Sequence, residues 1–426
     1  LKVCIVGAGV VGSYLAKKLS KEGFEVIVVD MDSAKLEAIS HSLDVLTVNC
    51  DATEVNCLKQ VKDSDLFVVV TESDEKNVAI TTLVRALLKK EKVVLRVSNK
   101  AFSSPPVKEF LGSEVVNILS ETVQAVINQI KYPFAIDAIR LEGEGLIIFK
   151  LKLDVESSLS GKQIMELSKI RRNIPFTIVA VEREGETIIP SGENFLYPGD
   201  VIYVAVKEED GDKLAEALGI KYEPVKLVFI LGYSKFTEEL LSQLVNLQLK
   251  VKFISPEFER CEEVAGKFSK VDVFHGEISD VELLKEEGID KADLVIAITD
   301  DEEANILSSI LSKQLGAKKA CSLIFHPEYE GIVNSIGIDV PIVPRKLLAS
   351  KVYRMLSRKK FLEIFELSKD LEVIEMEVSD KNDGRQLKDA ELCNLVVAVK
   401  GRNGTEVARG NTLLHKGDVL ICIKKR

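Results

Sequence analysis

The sequence predicts an α/β protein built from two doubly wound parallel-sheet lobes, each followed by a small α+β lobe. Three observations carry that reading. Apolar runs of strand length alternate with stretches whose apolar residues fall at helical spacing, the pattern of a parallel sheet covered on both faces. A glycine-rich turn, Gly7-Ala8-Gly9-Val10-Val11-Gly12, follows the first apolar run directly. The whole arrangement then returns from Leu227 onward.

In the first copy the apolar strand ending at Val6 runs into the glycine turn, and an amphipathic helix follows. Val26–Val29 reads as a buried strand ending at Asp30, and Ser33 is placed to cap a helix with Leu36 and Ile39 on one face. Val45–Val48, Leu66–Val70 and Val93–Val97 read as further strands. Between the last two, Ala79, Ile80, Leu83, Val84, Leu87 and Leu88 mark a helix over Asp74–Lys90. A helix from Glu121 to about Ile130 leads to Pro133, where the texture changes. Leu146–Leu153, Thr177–Val181 and Val201–Val206 read as short strands, the last one after Pro198-Gly199-Asp200.

Gly7 recurs as Gly232, and Val70-Thr71-Glu72-Ser73-Asp74-Glu75-Lys76-Asn77 recurs as Ile298-Thr299-Asp300-Asp301-Glu302-Glu303-Ala304-Asn305. In the small lobe Pro198-Gly199-Asp200-Val201 recurs as Lys416-Gly417-Asp418-Val419. The division that follows is a first large lobe over 1–130, its small lobe over 131–221, a second large lobe over 222–361 and its small lobe over 362–426.

The balance of 46% hydrophobic and 29% charged residues is that of an ordinary globular chain. A net charge of −10 with no basic stripe argues against nucleic acid as a partner. No apolar run approaches the ~20 residues of a membrane span, and the first residues lack a charged-then-apolar leader. The seven cysteines, Cys4, Cys50, Cys57, Cys261, Cys321, Cys393 and Cys422, are scattered without a C-x-x-C spacing. They read as small buried hydrophobes in a reducing cytosol, not as a zinc or disulfide framework.

The chemistry concentrates in the first copy. Gly7 permits a tight turn, Gly9 lets a pyrophosphate approach the backbone, and Gly12 lets helix and strand pack closely. The N-terminus of the following helix offers N–H groups to phosphates. Asp30, at the end of the second strand, is placed to accept hydrogen bonds from ribose hydroxyls. An acid there repels a 2′-phosphate, which favours NAD(H), ATP or ADP over NADP(H). Cys50-Asp51-Ala52-Thr53 follows the third strand, where an adenine would lie. Thr71 ends the fourth strand, with Glu72 next to it. Arg96 is a charge inside an apolar strand, and a phosphate is a natural partner for it.

These residues, with Asn77 and the double large-lobe/small-lobe order, resemble the TrkA family, the peripheral regulatory subunits of Trk potassium-uptake systems built from two RCK (KTN) units. The resemblance spans essentially the whole chain. It implies a cytoplasmic nucleotide sensor, peripheral at the inner membrane face, that binds and gates a membrane potassium transporter subunit as a homo-oligomeric ring, a tetramer by expectation. It implies NAD(H) or ATP/ADP held by Gly7, Ala8, Gly9, Val10, Val11, Gly12, Asp30, Asp51, Ala52, Thr71, Glu72 and Arg96. Cys50 departs from the glycine usual before Asp51. In the second copy Gly232 is retained, but Ser234 and Thr237 replace the later glycines, Ser255 stands in the place of Asp30 and Leu323 in that of Arg96. The second large lobe is therefore expected to bind nucleotide weakly or not at all.

No histidine among His41, His275, His326 and His415 has a metal-ligand partner at helical spacing, and no metal site is expected. No acid–base group stands ready for hydride transfer, so the chain is read as a binding module and not an enzyme. The alternative is an NAD-dependent dehydrogenase with an additional Rossmann-like domain. Glu121 at a helix start has a cation site between subunits as its functional reading and a dipole preference as its plain one. The runs Arg358-Lys359-Lys360 and Lys424-Lys425-Arg426 read as solvated faces.

Overall fold

The computed structural model describes residues 1–21, 23–141, 145–155, 157–356, 371–390, 392, 395–402 and 404–425. Arg358-Lys359-Lys360, Cys393, Arg426 and the 361/362 boundary lie outside the described residues.

Six strands form the first large lobe: β1 Lys2–Val6, β2 Glu25–Asp30, β3 Leu46–Asn49, β4 Leu66–Val69, β5 Val93–Val97 and β6 Glu114–Asn117. They pair in parallel in the order β3-β2-β1-β4-β5-β6. The order reverses between β1 and β4, which opens a crevice at their carboxyl ends. Five helices connect them, α1 Val10–Lys21, α2 Ser33–Ser42, α3 Val55–Gln60, α4 Asp74–Leu88 and α5 Pro105–Leu111, and α6 Ile118–Lys131 follows β6. β1, β4 and β5 read as continuous apolar runs because both faces are covered, and Cys4, Ile5, Phe67, Val68 and Leu95 are wholly buried. The cap of α2 is Asp32, whose carboxylate accepts from the Ala34 and Lys35 amides. Ser33 is the first helical residue.

The first small lobe comprises β7 Asp137–Leu141, β8 Leu146–Lys152, β9 Phe176–Arg183, β10 Glu186–Ile188 and β11 Val201–Lys207, antiparallel in the order β10-β9-β11-β8-β7. The second large lobe repeats the first: β12 Leu227–Leu231, β13 Lys250–Ser255, β14 Val271–His275, β15 Leu294–Ala297, β16 Ala320–Leu323 and β17 Val340–Ile342 pair as β14-β13-β12-β15-β16-β17. The last lobe holds β18 Leu371–Glu377, β19 Leu395–Gly401, β20 Gly404–Val407 and β21 Val419–Lys425, in the order β18-β21-β19-β20.

Like lobes associate with like. One compact unit contains residues 1–127 and 226–355, the other 128–225 and 356–426. In the first unit Lys100 pairs with Glu239, and Lys351 pairs with Glu121 at 3.3 Å. Glu121 thus answers a lysine of the same chain. In the second unit Leu146, Ile148, Val179 and Tyr203 pack in one apolar cluster with Val397, Val407 and Ile421. Each small lobe carries a bulge in the strand that enters this cluster, leaving Val179 and Val397 out of the ladder register.

One hydrogen-bond arrangement occurs in both large lobes. Asn77 Oδ1 accepts from the Thr71 amide (3.0 Å) and hydroxyl, and its Nδ2 donates to the carbonyls of Thr71 (3.1 Å) and Arg96 (3.0 Å). Asn305 repeats this with Thr299 N (2.7 Å), Thr299 Oγ1 (2.8 Å) and the carbonyls of Thr299 and Leu323 (both 3.0 Å). Both asparagines are fully buried, and each joins the ends of two adjacent strands to the helix that follows the first of them. Replacing either by alanine leaves buried backbone groups without partners, so Asn77→Ala and Asn305→Ala should each cost roughly 2–4 kcal/mol. Urea unfolding of the parallel-sheet unit checks this; a loss below about 1 kcal/mol would mean that water replaces the amide.

Candidate functional site

The glycine turn is held by backbone geometry that only glycine satisfies. Gly7 has φ +111°, and a Cβ there would lie 3.0 Å from the Val70 and Thr71 backbone. A Cβ on Gly12 would lie 1.8 Å from the Gly7 carbonyl oxygen. The strand-to-helix crossing is therefore as close as backbone allows. Gly9 differs: the nearest atom to a Cβ built there is Glu72 Oε1, at 4.0 Å. That open space is where a pyrophosphate would approach. Val10, the first residue of α1, is exposed, while Val11 and Gly12 behind it are buried.

Asp30 ends β2 beside this turn. Its Oδ2 accepts from the Ala8 amide and its Oδ1 from the Asp32 amide at 2.9 Å. The carboxylate is fixed and keeps lone pairs for ribose hydroxyls. Asp51 Oδ1 accepts from the Thr53 amide (2.9 Å) and hydroxyl (2.7 Å), and these bonds hold its carboxyl below the usual range. Ala52, buried, lies within the same turn.

Thr71 adjoins Gly7, and its hydroxyl is spent on Asn77. Arg96 donates from a terminal nitrogen to the Thr71 carbonyl at 3.1 Å, while its Nε is buried with no hydrogen-bond partner. Burial holds the guanidinium below its ordinary pKa, against the opposing charges of Asp74 and Glu72. A buried guanidinium nitrogen without an acceptor, next to an open glycine turn, fits an anionic ligand. The residues present therefore fit a nucleotide, with phosphates at Gly7–Gly12 and Arg96 and a ribose at Asp30.

The second copy keeps the sheet and its strand-end contacts but changes the turn and the interior. The Gly232 amide bonds to Ile254 as that of Gly7 bonds to Val29. The Gly276 amide bonds to Ser255 as that of Cys50 bonds to Asp30. These bonds place Ser255 at the Asp30 position. Its hydroxyl accepts only from the Glu257 amide at 3.3 Å among the described contacts. Asn305 bonding to Leu323, as Asn77 does to Arg96, places a leucine where the arginine stood.

The helix after the turn starts only at Thr237. The Ser234 amide donates to Thr237 Oγ1 (2.9 Å), and the Phe236 amide to Ser234 Oγ (3.4 Å). Two amides of the turn are here bonded to its own side chains. Phe236 and Thr237 are buried, and Tyr233, with Arg260 stacked on its ring at 4.5 Å, bonds to Glu238. Lys235 lies close enough to Arg96 for that charge to help hold its ammonium below the ordinary pKa, after desolvation.

The structure corrects one reading of the cysteines. Cys50 and Cys57 are joined as a disulfide, with Cα atoms 5.7 Å apart. Cys4, Cys261, Cys321 and Cys422 are buried and outside any disulfide. Sequence spacing gave no warning, because the pair is brought together by the turn between β3 and α3. Among the described residues no His, Cys, Asp and Glu side chains converge as a metal-ligand set, and no helix is long and apolar enough to cross a membrane.

The TrkA-N domain model matches residues 3–118 and 228–344, and the TrkA-C domain model residues 148–219. The chain is 30% identical over 434 residues to a Trk system potassium uptake protein TrkA homolog of Archaeoglobus fulgidus, covering 100% of this chain and 97% of the relative. It is 26% identical over 440 residues to the Trk system potassium uptake protein TrkA of Azorhizobium caulinodans, covering 100% and 95%. Among solved structures, the GsuK RCK domain matches with a TM-score of 0.65 at 19% identity, over 99% of this chain and 92% of that one. The GsuK channel bound to NAD matches at 0.68 and 18% identity, over 99% and 76%. These two likenesses are of fold. With the domain model matched in both large lobes and a full-length relative at 30% identity, the chain belongs to the TrkA family of Trk-system potassium uptake proteins.

Proposed function

We propose that this chain is the nucleotide-sensing regulatory subunit of a Trk-type potassium transporter, with NAD(H) or ATP/ADP bound in the first large lobe only. The observation that carries the reading is the contrast between the two glycine turns. One leaves the space at Gly9 open beside an unpartnered arginine nitrogen; the other fills that space with Ser234 and bonds its turn amides to its own side chains. Neighbours of the same fold are described as a GsuK channel bound to NAD and one bound to ADP, which supports an adenine nucleotide here.

The phosphates would meet Gly7, Ala8, Gly9, Val10, Val11, Gly12, Thr71 and Arg96, with Glu72 at the rim. The ribose would meet Asp30, and the adenine Asp51 and Ala52. The chain performs no reaction of its own. A ligand that favours one arrangement of paired lobes shifts the population of that arrangement. In a homo-oligomeric ring, a tetramer by our reading, at the cytoplasmic face of the membrane, that shift would reach the transporter's pore.

Calorimetric titration with NADH, NAD, ATP and ADP should give one site per chain, and Asp30→Ala should weaken it by about tenfold or more, the loss of a charged hydrogen-bond acceptor. Two sites per chain would overturn the silent second lobe; no site for any of the four would overturn the sensor. Gly9→Ala provides a separate check. Its methyl group enters open space, so thermal stability should stay within about 0.5 kcal/mol of the parent, while nucleotide affinity drops steeply. Unchanged affinity would place the phosphates elsewhere.

A further inference from the structure

We propose that Cys50 and Cys57 are a reversible redox-modification site that sets the nucleotide affinity of the first large lobe. The inference rests on the nucleotide reading above and adds to it a chemical input. The two cysteines bracket Asp51-Ala52-Thr53, the turn assigned to the adenine, and their bond ties the end of β3 to α3.

The internal duplication supplies the comparison. The shared amide contact to the second strand sets Gly276 where Cys50 stands. The matching short helices, Val55–Gln60 and Val281–Glu286, set Leu283 where Cys57 stands. Those two second-copy positions touch: a Cβ on Gly276 would lie 2.5 Å from Leu283 Cδ2. A leucine over a glycine fills this spot once. In the first copy both positions differ together, and the leucine volume is replaced by two thiols in bonding range. A single cysteine at either place would leave a void or a clash; the pair resolves both.

The site is also selective. Cys57 is buried, whereas Cys50 is partly exposed at the crevice and open to a small thiol or disulfide. The other described cysteines are enclosed. Burial pushes the Cys4 thiol upward and that of Cys321 up to about 12, so neither supplies thiolate at neutral pH. Oxidation proceeds by exchange with a low-molecular-weight disulfide. The Cys50 thiolate attacks one of its sulfurs and expels a thiolate. The deprotonated Cys57 then attacks the Cys50 sulfur, forms the internal bond and expels the second thiolate. Two protein thiols lose two electrons and two protons, and the small disulfide becomes two thiols. A small dithiol runs the sequence in reverse. In the oxidised form the Asp51–Thr53 turn is already fixed, so less ordering accompanies binding and affinity rises.

The full chain equilibrated in oxidised glutathione or in dithiothreitol tests this. Peptide mass spectrometry after alkylation should find one Cys50–Cys57 link in the first buffer and two alkylated thiols in the second. Titration with ADP should then give an affinity about threefold or more higher for the oxidised form. Cys50→Ala and Cys57→Ser should lose the difference and bind as the reduced protein does. A link that never forms, or that resists the dithiol, overturns the switch. Equal ADP affinity in both states overturns the coupling while leaving the nucleotide site intact. If ADP binds in neither state, and NADH likewise, the nucleotide reading itself has failed and the coupling falls with it; the mass spectra still decide the redox chemistry.

Discussion

The junction of Thr71 with Asn77, and of Thr299 with Asn305, is the constraint on which the large lobes depend. The carbonyls of Thr71, just past β4, and of Arg96, near the end of β5, lie within reach of one side chain, as do those of Thr299 and Leu323 at β15 and β16. One buried amide side chain gathers these groups and attaches them to the helix that follows. Gly7 packs directly against the Thr71 amide, so the position of the glycine turn is inherited from that junction. The same interaction survives where Asp30 and Arg96 do not, which assigns it to architecture.

The duplication shows how the crevice beside a glycine turn fills without a change of fold. Ser234 brings a hydroxyl into the space that Gly9 leaves open, and Thr237, where Gly12 stood, opens a helix that begins later; their hydroxyls accept from the Phe236 and Ser234 amides of the turn. With those amides satisfied, the turn has less left to offer an anion. Replacement of Asp30 by Ser255 and of Arg96 by Leu323 then removes charges that would have no counterpart to face. Each step lowers the polar demand of the interior, and Phe236 completes it with apolar volume.

Much of this was legible in the sequence, for identifiable reasons. β1, β2, β4 and β5 announce themselves as apolar runs because both sheet faces are covered. The glycine turn and Asp30 stand at positions where backbone sterics and charge admit few residues. β6 was not legible: its four residues, Glu114–Asn117, include two polar ones, and its pairing is decided only by β5. The cap of α2 was misplaced by one residue, since Asp32 and Ser33 are both good capping types and only the chain path selects between them. The Cys50–Cys57 bond escaped because its geometry depends on a turn between two elements, not on spacing. Its one trace in the sequence was the departure from glycine before Asp51. Pairing of like lobes was equally hidden, since it is written in which apolar faces remain uncovered after each lobe folds.

The shared apolar cluster of the small lobes has a consequence for how the protein responds to dilution. Two lobes joined by one chain meet at an effective concentration fixed by the chain between them. Their association is unimolecular and does not weaken as the solution is thinned. A family member with a single unit per chain would need a second molecule to cover the same face. Here the first pairing is inherited at synthesis, and concentration governs only how completed chains meet one another.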